Sequence, residues 1–251
     1  MNRPRRFTAV ILALSFMARP ALAMDAQDIV QAAWDHWRGT SSRGEMTMTI
    51  HRPDWERSMS MEVSTRGQDE SLVRVTEPRK DAGNAFLIKQ DEMWTYSPKV
   101  NRVLKVPSSM MGQSWMGSDF SNKDVSRADT IVRQYDHTLI GTETQGGHRV
   151  HVIESIPHED AAVVWGKEVL RIRDDQVLLQ EDFYDQDGKL VKSMKAREIG
   201  NLGGRTLATR LRMENAEARD QWTEVVTERM RFDLALPDRI FTLSNLRNPR
   251  E

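Results

Sequence analysis

The chain has 251 residues, with 36 Lys+Arg against 37 Asp+Glu, a formal charge of −1, 14 methionines, seven tryptophans and no cysteine. The missing cysteine excludes disulfides, thiolate metal sites, iron–sulfur clusters and a cysteine nucleophile, and the balanced charge gives no global pull toward nucleic acid. At 39% hydrophobic and 29% charged residues, the composition is neither that of a disordered chain nor that of a polytopic membrane protein.

Residues 1–23 read as a secretory signal peptide. Arg3, Arg5 and Arg6 precede an apolar run over 7–18, and Ala21-Leu22-Ala23 places small residues before a cut after Ala23. The run falls short of the roughly 20 residues a membrane-spanning helix needs. Cleavage removes four arginines and no acid, which moves the formal charge to about −5. With no cysteine to acylate, the expected product is a soluble periplasmic protein, 24–251, with no lipid anchor and no stable membrane insertion.

Asp25-Ala26-Gln27-Asp28 opens a short helix whose apolar face is Ile29, Val30, Ala33, Trp34 and Trp37, and Gly39 ends it. From Arg43 the period changes to two. Met46, Met48 and Ile50 share one face opposite Glu45, Thr47, Thr49 and His51; past the Pro53-Asp54 turn, Met59, Met61 and Val63 alternate with Ser58, Ser60 and Glu62. Further strands are predicted over 72–76, 85–89 and 92–96. The stretch 107–125 lacks alternation and reads as loop with short helical turns. Strands resume over 134–140, 149–156, 166–173, 178–184, 190–199, 206–215 and 222–231, with turns that include Gly146-Gly147, Asp187-Gly188 and Gly203-Gly204.

Consecutive strands joined by tight turns, without crossover helices, imply an antiparallel meander in one domain. A sheet of this length must curl to bury its apolar face, giving a barrel or half-open barrel covered by helices. If the curl stays open, its concave face is an apolar pocket, to which adaptable methionines are suited. Periodicity alone favours the plainer reading, in which the same side chains fill a core.

Two segments carry a family likeness: Met93-Trp94-Thr95-Tyr96-Ser97-Pro98-Lys99-Val100-Asn101-Arg102, and Ser114-Trp115-Met116-Gly117-Ser118-Asp119-Phe120-Ser121. With Gly83-Asn84-Ala85-Phe86-Leu87 and the late Phe241…Leu246 ending, the chain resembles the longer bacterial outer-membrane lipoprotein-sorting proteins, relatives of the LolA-like periplasmic lipoprotein carriers. The likeness covers nearly all of 24–251. It implies a mainly β fold, an antiparallel unclosed half-barrel with short α-helices as lid, that binds acyl chains or other lipid without catalysis or cofactor. The candidate pocket and lid residues are Met46, Met48, Ile50, Met59, Met61 and Val63, with Trp94, Tyr96, Trp115, Met116 and Phe120 from the likeness. Asp119 is expected to cap a turn or helix.

Catalytic patterns are weak. Gly112-Gln113-Ser114-Trp115-Met116-Gly117 is one residue too long for a nucleophile elbow. His148 and His151 fall on a predicted strand and point to opposite faces; with His158 they read as solvent-facing rather than as metal ligands. Asp174-Asp175 and Glu181-Asp182 read as solvated pairs at turns and strand ends. Lys189, Lys192, Lys195 and Arg197 are flanked by acids, which argues against a nucleic-acid patch.

The leading expectation is a carrier that shields acyl chains between membranes, loaded by an inner-membrane transporter. An accessory subunit of a resistance–nodulation–division type exporter is the alternative, and a serine hydrolase using Ser114 comes third.

Overall fold

Helix α1 (Ala26–Arg38) starts where Asp25 accepts the backbone N–H of Asp28 at 2.7 Å, an N-cap that satisfies one of the free donors of the first turn. It stops at Gly39, whose φ of +66° a side chain would oppose. These features come from a computed structural model that describes residues 25–90, 92–126, 130–161, 163–218 and 220–249. The leader expected over 1–23 lies outside the described residues.

Two runs of strands follow. The first comprises β1 (Ser41–Arg52), β2 (Trp55–Arg66), β3 (Glu70–Glu77), β4 (Ala85–Lys89), β5 (Glu92–Ser97) and β6 (Arg102–Lys105). The second comprises β7 (Tyr135–Gln145), β8 (His148–Pro157), β9 (Lys167–Arg173), β10 (Leu178–Tyr184), β11 (Leu190–Leu202), β12 (Arg205–Asn215) and β13 (Trp222–Phe232). Between the runs lie a 3₁₀ turn, Ser108–Met110, and two short helices, α2 (Asn122–Ser126) and α3 (Thr130–Gln134). A second 3₁₀ turn, Asp238–Phe241, and α4 (Leu243–Arg247) close the chain. Strand β6 is the one strand that the alternation did not reveal. The start predicted at 134 gives way to α3, so β7 begins at Tyr135.

All 13 strands form one antiparallel sheet, in the order β6-β5-β4-β3-β2-β1-β13-β12-β11-β10-β9-β8-β7. Each run is a meander. They join where β1 pairs with β13, and β6 and β7 remain as separate edges, so the barrel is unclosed. Register shifts at Glu45/Met46, Ser60/Met61, Leu139/Gly141 and within β10 and β11 add local twist that helps the sheet coil.

Register decides which side chains share the concave face. Met48 lies opposite Met59 on one side and Val225 on the other, and Met46 opposite Met61 and Thr227. Val63 pairs with Val73, and Val73 with Phe86. The reverse face of β1 and β2 is polar, with hydroxyl pairs Thr47–Ser60 at 3.3 Å and Thr49–Ser58 at 2.8 Å.

On the concave side, α1 packs Ile29, Val30, Ala33 and Trp34 against Ile131, Val132, Tyr135, Ile153, Leu170 and Ile172. On the convex side, the C-terminal segment presses Ile240, Phe241 and Leu246 onto Leu72, Ala85 and Leu87. Arg74 ties that segment down by donating to the carbonyls of Asn245 and Leu246, at 2.9 and 3.2 Å. Among the described residues, no helix is long and apolar enough to cross a membrane.

Candidate functional site

Because β6 and β7 are opposite edges of the sheet, the chain returns between them over its open concave side, as the described residues 106–126 and 130–134 show. Trp115 from this crossover is buried against the β1–β5 wall, packing edge-on to Phe86 with ring centroids 5.2 Å apart. Helix α1 covers the other wall. Between them a cavity of about 320 Å³ remains, at the lower end of the range of ligand pockets, about 300–1,000 Å³. It is lined by Met46, Met48, Met61, Val63 and Val73 from one wall, by Met194, Leu207, Leu211, Met213 and Val225 from β11–β13, and by Trp34, Trp37, Trp115 and Phe120 above. Six methionines, Met46, Met48, Met61, Met194, Met213 and Met230, contribute to the lining. Their unbranched thioethers can re-pack around chains of different shape.

The structure therefore brings Met46, Met48, Met61, Val63, Trp115 and Phe120 to one cavity. Ile50 and Met59 lie on the same face but are sealed beneath the crossover, at 0% and 1% exposure. Met116 packs half-buried on that same cluster. Trp94 and Tyr96 are elsewhere: they pack on the convex face with Val103 and the C-terminal segment, away from the cavity. Their strand alternates correctly, but its Trp/Tyr face is the one closed by Phe241 and Leu246. Trp37, expected on the packed face of α1, is 40% exposed and stands at the cavity instead.

The crossover is pinned by polar contacts. Asp119, expected to cap a turn, instead accepts from both terminal nitrogens of Arg52, each at 3.1 Å, and from the Thr223 hydroxyl at 2.6 Å. This joins the crossover to the ends of β1 and β13. Ser121 and Asp124 form a reciprocal cap on α2: the Ser121 N–H donates to the Asp124 carboxylate at 2.7 Å and the Asp124 N–H to the Ser121 hydroxyl at 3.1 Å. Ser114, the weak nucleophile candidate, donates its hydroxyl to the Ser118 carbonyl within the same turn.

A buried polar cluster interrupts the apolar lining on the α1 side. Glu181 and Asp182, read from the sequence as solvated, lie mid-strand in β10 and are buried. Glu181 faces the cavity with Glu168 of β9, and the two carboxyls hydrogen-bond. The Tyr135 hydroxyl donates to Glu168 at 2.6 Å. Burial pushes the Glu181 carboxyl well above the usual carboxylate range, and the neighbouring Glu168 adds to the push. Glu168 is also raised by burial, against the opposing hydrogen bonds from Glu181 and Tyr135. Burial likewise raises the Tyr135 phenol, with Glu168 next in effect. Nearby, Lys192 pairs with Asp124 of the crossover and sits 4.9 Å from the Trp165 ring and 5.0 Å from that of Phe183. Asp182 points to the other face, where it accepts from Arg171 at 3.0 Å and Ser193 at 2.5 Å.

The basic run is paired along its length: Lys189 with Glu217, Lys192 with Asp124, and Lys195 and Arg197 with Glu214. The group His148, Asp174 and Asp175 has cation-ligating residue types, but the Arg173 guanidinium already stands in it, donating to Asp175 at 2.6 Å and to His148 Nε2 at 2.8 Å.

Comparison with known proteins places this architecture. A family model described as "uncharacterized protein"-like matches residues 67–248. Among solved structures, the chain is similar to a DUF1329 family protein from Desulfovibrio piger, with 26% identity, 88% of this chain and 97% of that one covered, and a TM-score of 0.80. A putative outer membrane lipoprotein-sorting protein domain from Vibrio parahaemolyticus is 24% identical, with 88% and 98% covered and a TM-score of 0.77. A LolA superfamily protein from Nitrosomonas europaea is 25% identical, with 88% and 99% covered and a TM-score of 0.74. No curated protein matches the chain.

Proposed function

We propose that this chain, which belongs to the DUF1329 family and has the LolA-like lipoprotein-sorting fold, is a periplasmic carrier that holds acyl chains of a lipoprotein or free lipid in its half-barrel. The observation that carries the reading is the methionine-rich cavity of about 320 Å³ left between the concave face, α1 and the crossover. Each CH₂ exposed to water costs about 0.8 kcal/mol, so a long chain crossing an aqueous space needs such a shield. The neighbours' descriptions as lipoprotein-sorting and LolA superfamily proteins support the same reading. In this proposal residues 24–251 act as one carrier domain, exported by the leader over 1–23. It is loaded by an inner-membrane transporter, delivers toward the outer membrane and performs no covalent chemistry.

Ala208, which lines the cavity from β12, gives a direct test. Protein purified from its host and analysed by mass spectrometry is expected to carry lipid, and the delipidated protein to bind a fluorescent fatty-acyl probe. Ala208→Trp fills the cavity and is expected to weaken the probe by about tenfold or more, roughly the loss of two buried CH₂ groups, while the protein stays folded. Absence of both lipid and probe binding would refute the carrier and favour the exporter-subunit alternative, in which the concave face serves only as core.

A further inference from the structure

The cavity is apolar along most of its wall but not along all of it, and its polar part restricts what can enter. Resting on the carrier reading above, we propose that the cavity selects lipids with an uncharged, hydroxyl-bearing head, recognised by Glu181 and by the indole N–H of Trp115.

Glu181 is 7% exposed and faces the cavity from β10. Its carboxyl meets that of Glu168, which already accepts the Tyr135 hydroxyl. Two carboxyls in contact cannot both ionise at low cost, so the pair shares a proton, and burial holds that proton in place. With its hydrogen committed to Glu168, Glu181 offers the cavity an acceptor oxygen. Asp124 also lines the cavity, and its carboxylate is joined to Lys192. The cationic side chains of the same lining are engaged. Arg38 donates to the carbonyls of Gly67 and Glu70 at 2.7 and 3.2 Å, His36 Nε2 bonds the Thr206 carbonyl at 2.8 Å, and Lys123 sits beside Asp124 on the crossover and has its own interaction. A phosphate or carboxylate head drawn down to Glu181 therefore meets like charge, whereas an O–H meets an acceptor.

Trp115 supplies the second, independent sign. It lines the cavity, is 5% exposed, and its indole nitrogen has no hydrogen-bond partner among the described residues. A buried donor without a partner is costly; neighbouring atoms close over this nitrogen, and a ligand oxygen that displaces them to reach it removes that cost. One donor toward Glu181 and one acceptor toward Trp115, without negative charge, describe a hydroxylated neutral head such as that of a monoacylglycerol.

The test uses delipidated full-length mature protein and three probes of equal chain length: 1-dodecanoylglycerol, 1-dodecanol and dodecanoate, each displacing a fluorescent acyl probe at pH 8. Dodecanoylglycerol is expected to bind at least about tenfold tighter than dodecanoate, because like-charge juxtaposition in a desolvated site costs at least that much. Dodecanol is expected to bind between them. Glu168→Gln still accepts from Tyr135 and Glu181 but removes the charge of the pair, and should shrink the gap to within about threefold. Trp115→Phe should weaken dodecanoylglycerol and leave dodecanoate unchanged.

Dodecanoate binding as tightly as dodecanoylglycerol overturns the assignment while leaving the carrier intact. So does a gap that neither variant alters. Failure of all three probes to bind refutes the carrier reading itself. The wild-type comparison decides the matter even where a variant does not fold.

Discussion

Removing the Asp119 carboxylate should loosen the crossover over the cavity. Asp119 accepts two charge-assisted bonds from Arg52, each at 3.1 Å, and one from Thr223 at 2.6 Å. Both partners of the ion pair are largely buried, with side-chain exposures of 15% for Arg52 and 11% for Asp119. A hydrogen bond to a charged group contributes about 1.5–3 kcal/mol, and breaking a fully buried pair by removing one partner costs about 3–5 kcal/mol. Here the cost is smaller, because Arg52 keeps the carbonyls of His51, Gly117 and Trp222 at 2.7, 3.2 and 3.3 Å. Asp119→Ala is therefore expected to cost about 2–3 kcal/mol, which in a domain of this size lowers Tm by about 4–12 °C.

The loss should also be visible locally. Trp115, buried in the wild type, should become accessible to acrylamide, and a bound acyl probe should leave faster. A double-mutant cycle with Arg52→Ala should return a coupling of at least about 1 kcal/mol. A coupling near zero, with Trp115 quenching unchanged, would show that the crossover is held by Trp115 packing alone.

Two further outcomes follow from the packing and from the buried acids. Phe241 is 1% exposed beneath the C-terminal segment, so Phe241→Ala should cost about 3–5 kcal/mol in thermal or urea unfolding. Acyl-probe binding measured well below the lowered Tm should be unaffected, because the residue lies on the convex side; weakened binding would place the segment in the carrier mechanism. Burial holds the Glu181 and Glu168 carboxyls above the usual carboxylate range; Glu168 adds to the rise at Glu181, whereas the hydrogen bonds from Glu181 and Tyr135 oppose it at Glu168. Tyr135, Asp124 and Lys192 complete the charged and titratable groups acting on the pair. Between the ordinary carboxylate range and the raised folded value, the folded state binds more protons than the unfolded one, so stability falls as pH rises through that window. Glu181→Gln should flatten this fall, gaining Tm relative to wild type at pH 8 more than at pH 5 in calorimetry. Parallel Tm profiles would show that the pair does not titrate differently on folding.

Much of the scaffold was legible because a strand's period is local. Residues 178–184 were predicted as the strand that β10 forms, and Met46, Met48 and Ile50 share a face as the alternation required. Alternation also explains what went unread. It says that Trp94 and Tyr96 share a face, but not whether that face is concave, since inside and outside are defined by what covers each side. Phe241 and Leu246, far along the chain, cover theirs. The short β6, with only Val103 of its four residues half-buried, left too little pattern to detect.

The second wall of the cavity, from Met194 to Val225, was present in the sequence as alternating strands. Nothing local indicated that it would face Met46 across a gap. Glu181 looked like an exposed acid because acids usually are. Its burial depends on Tyr135 and Glu168, 33 residues apart in the chain, meeting beside it.

The sequence by itself thus determined the mainly β architecture, the run of antiparallel strands, and the supply of flexible apolar side chains without cysteine. Tertiary structure alone decided which of those side chains surround a cavity, where a carboxyl is held in its wall, and how Asp119 finds Arg52 across 67 residues. Periodicity is set by neighbours two residues apart, whereas a cavity exists only where distant surfaces fail to meet.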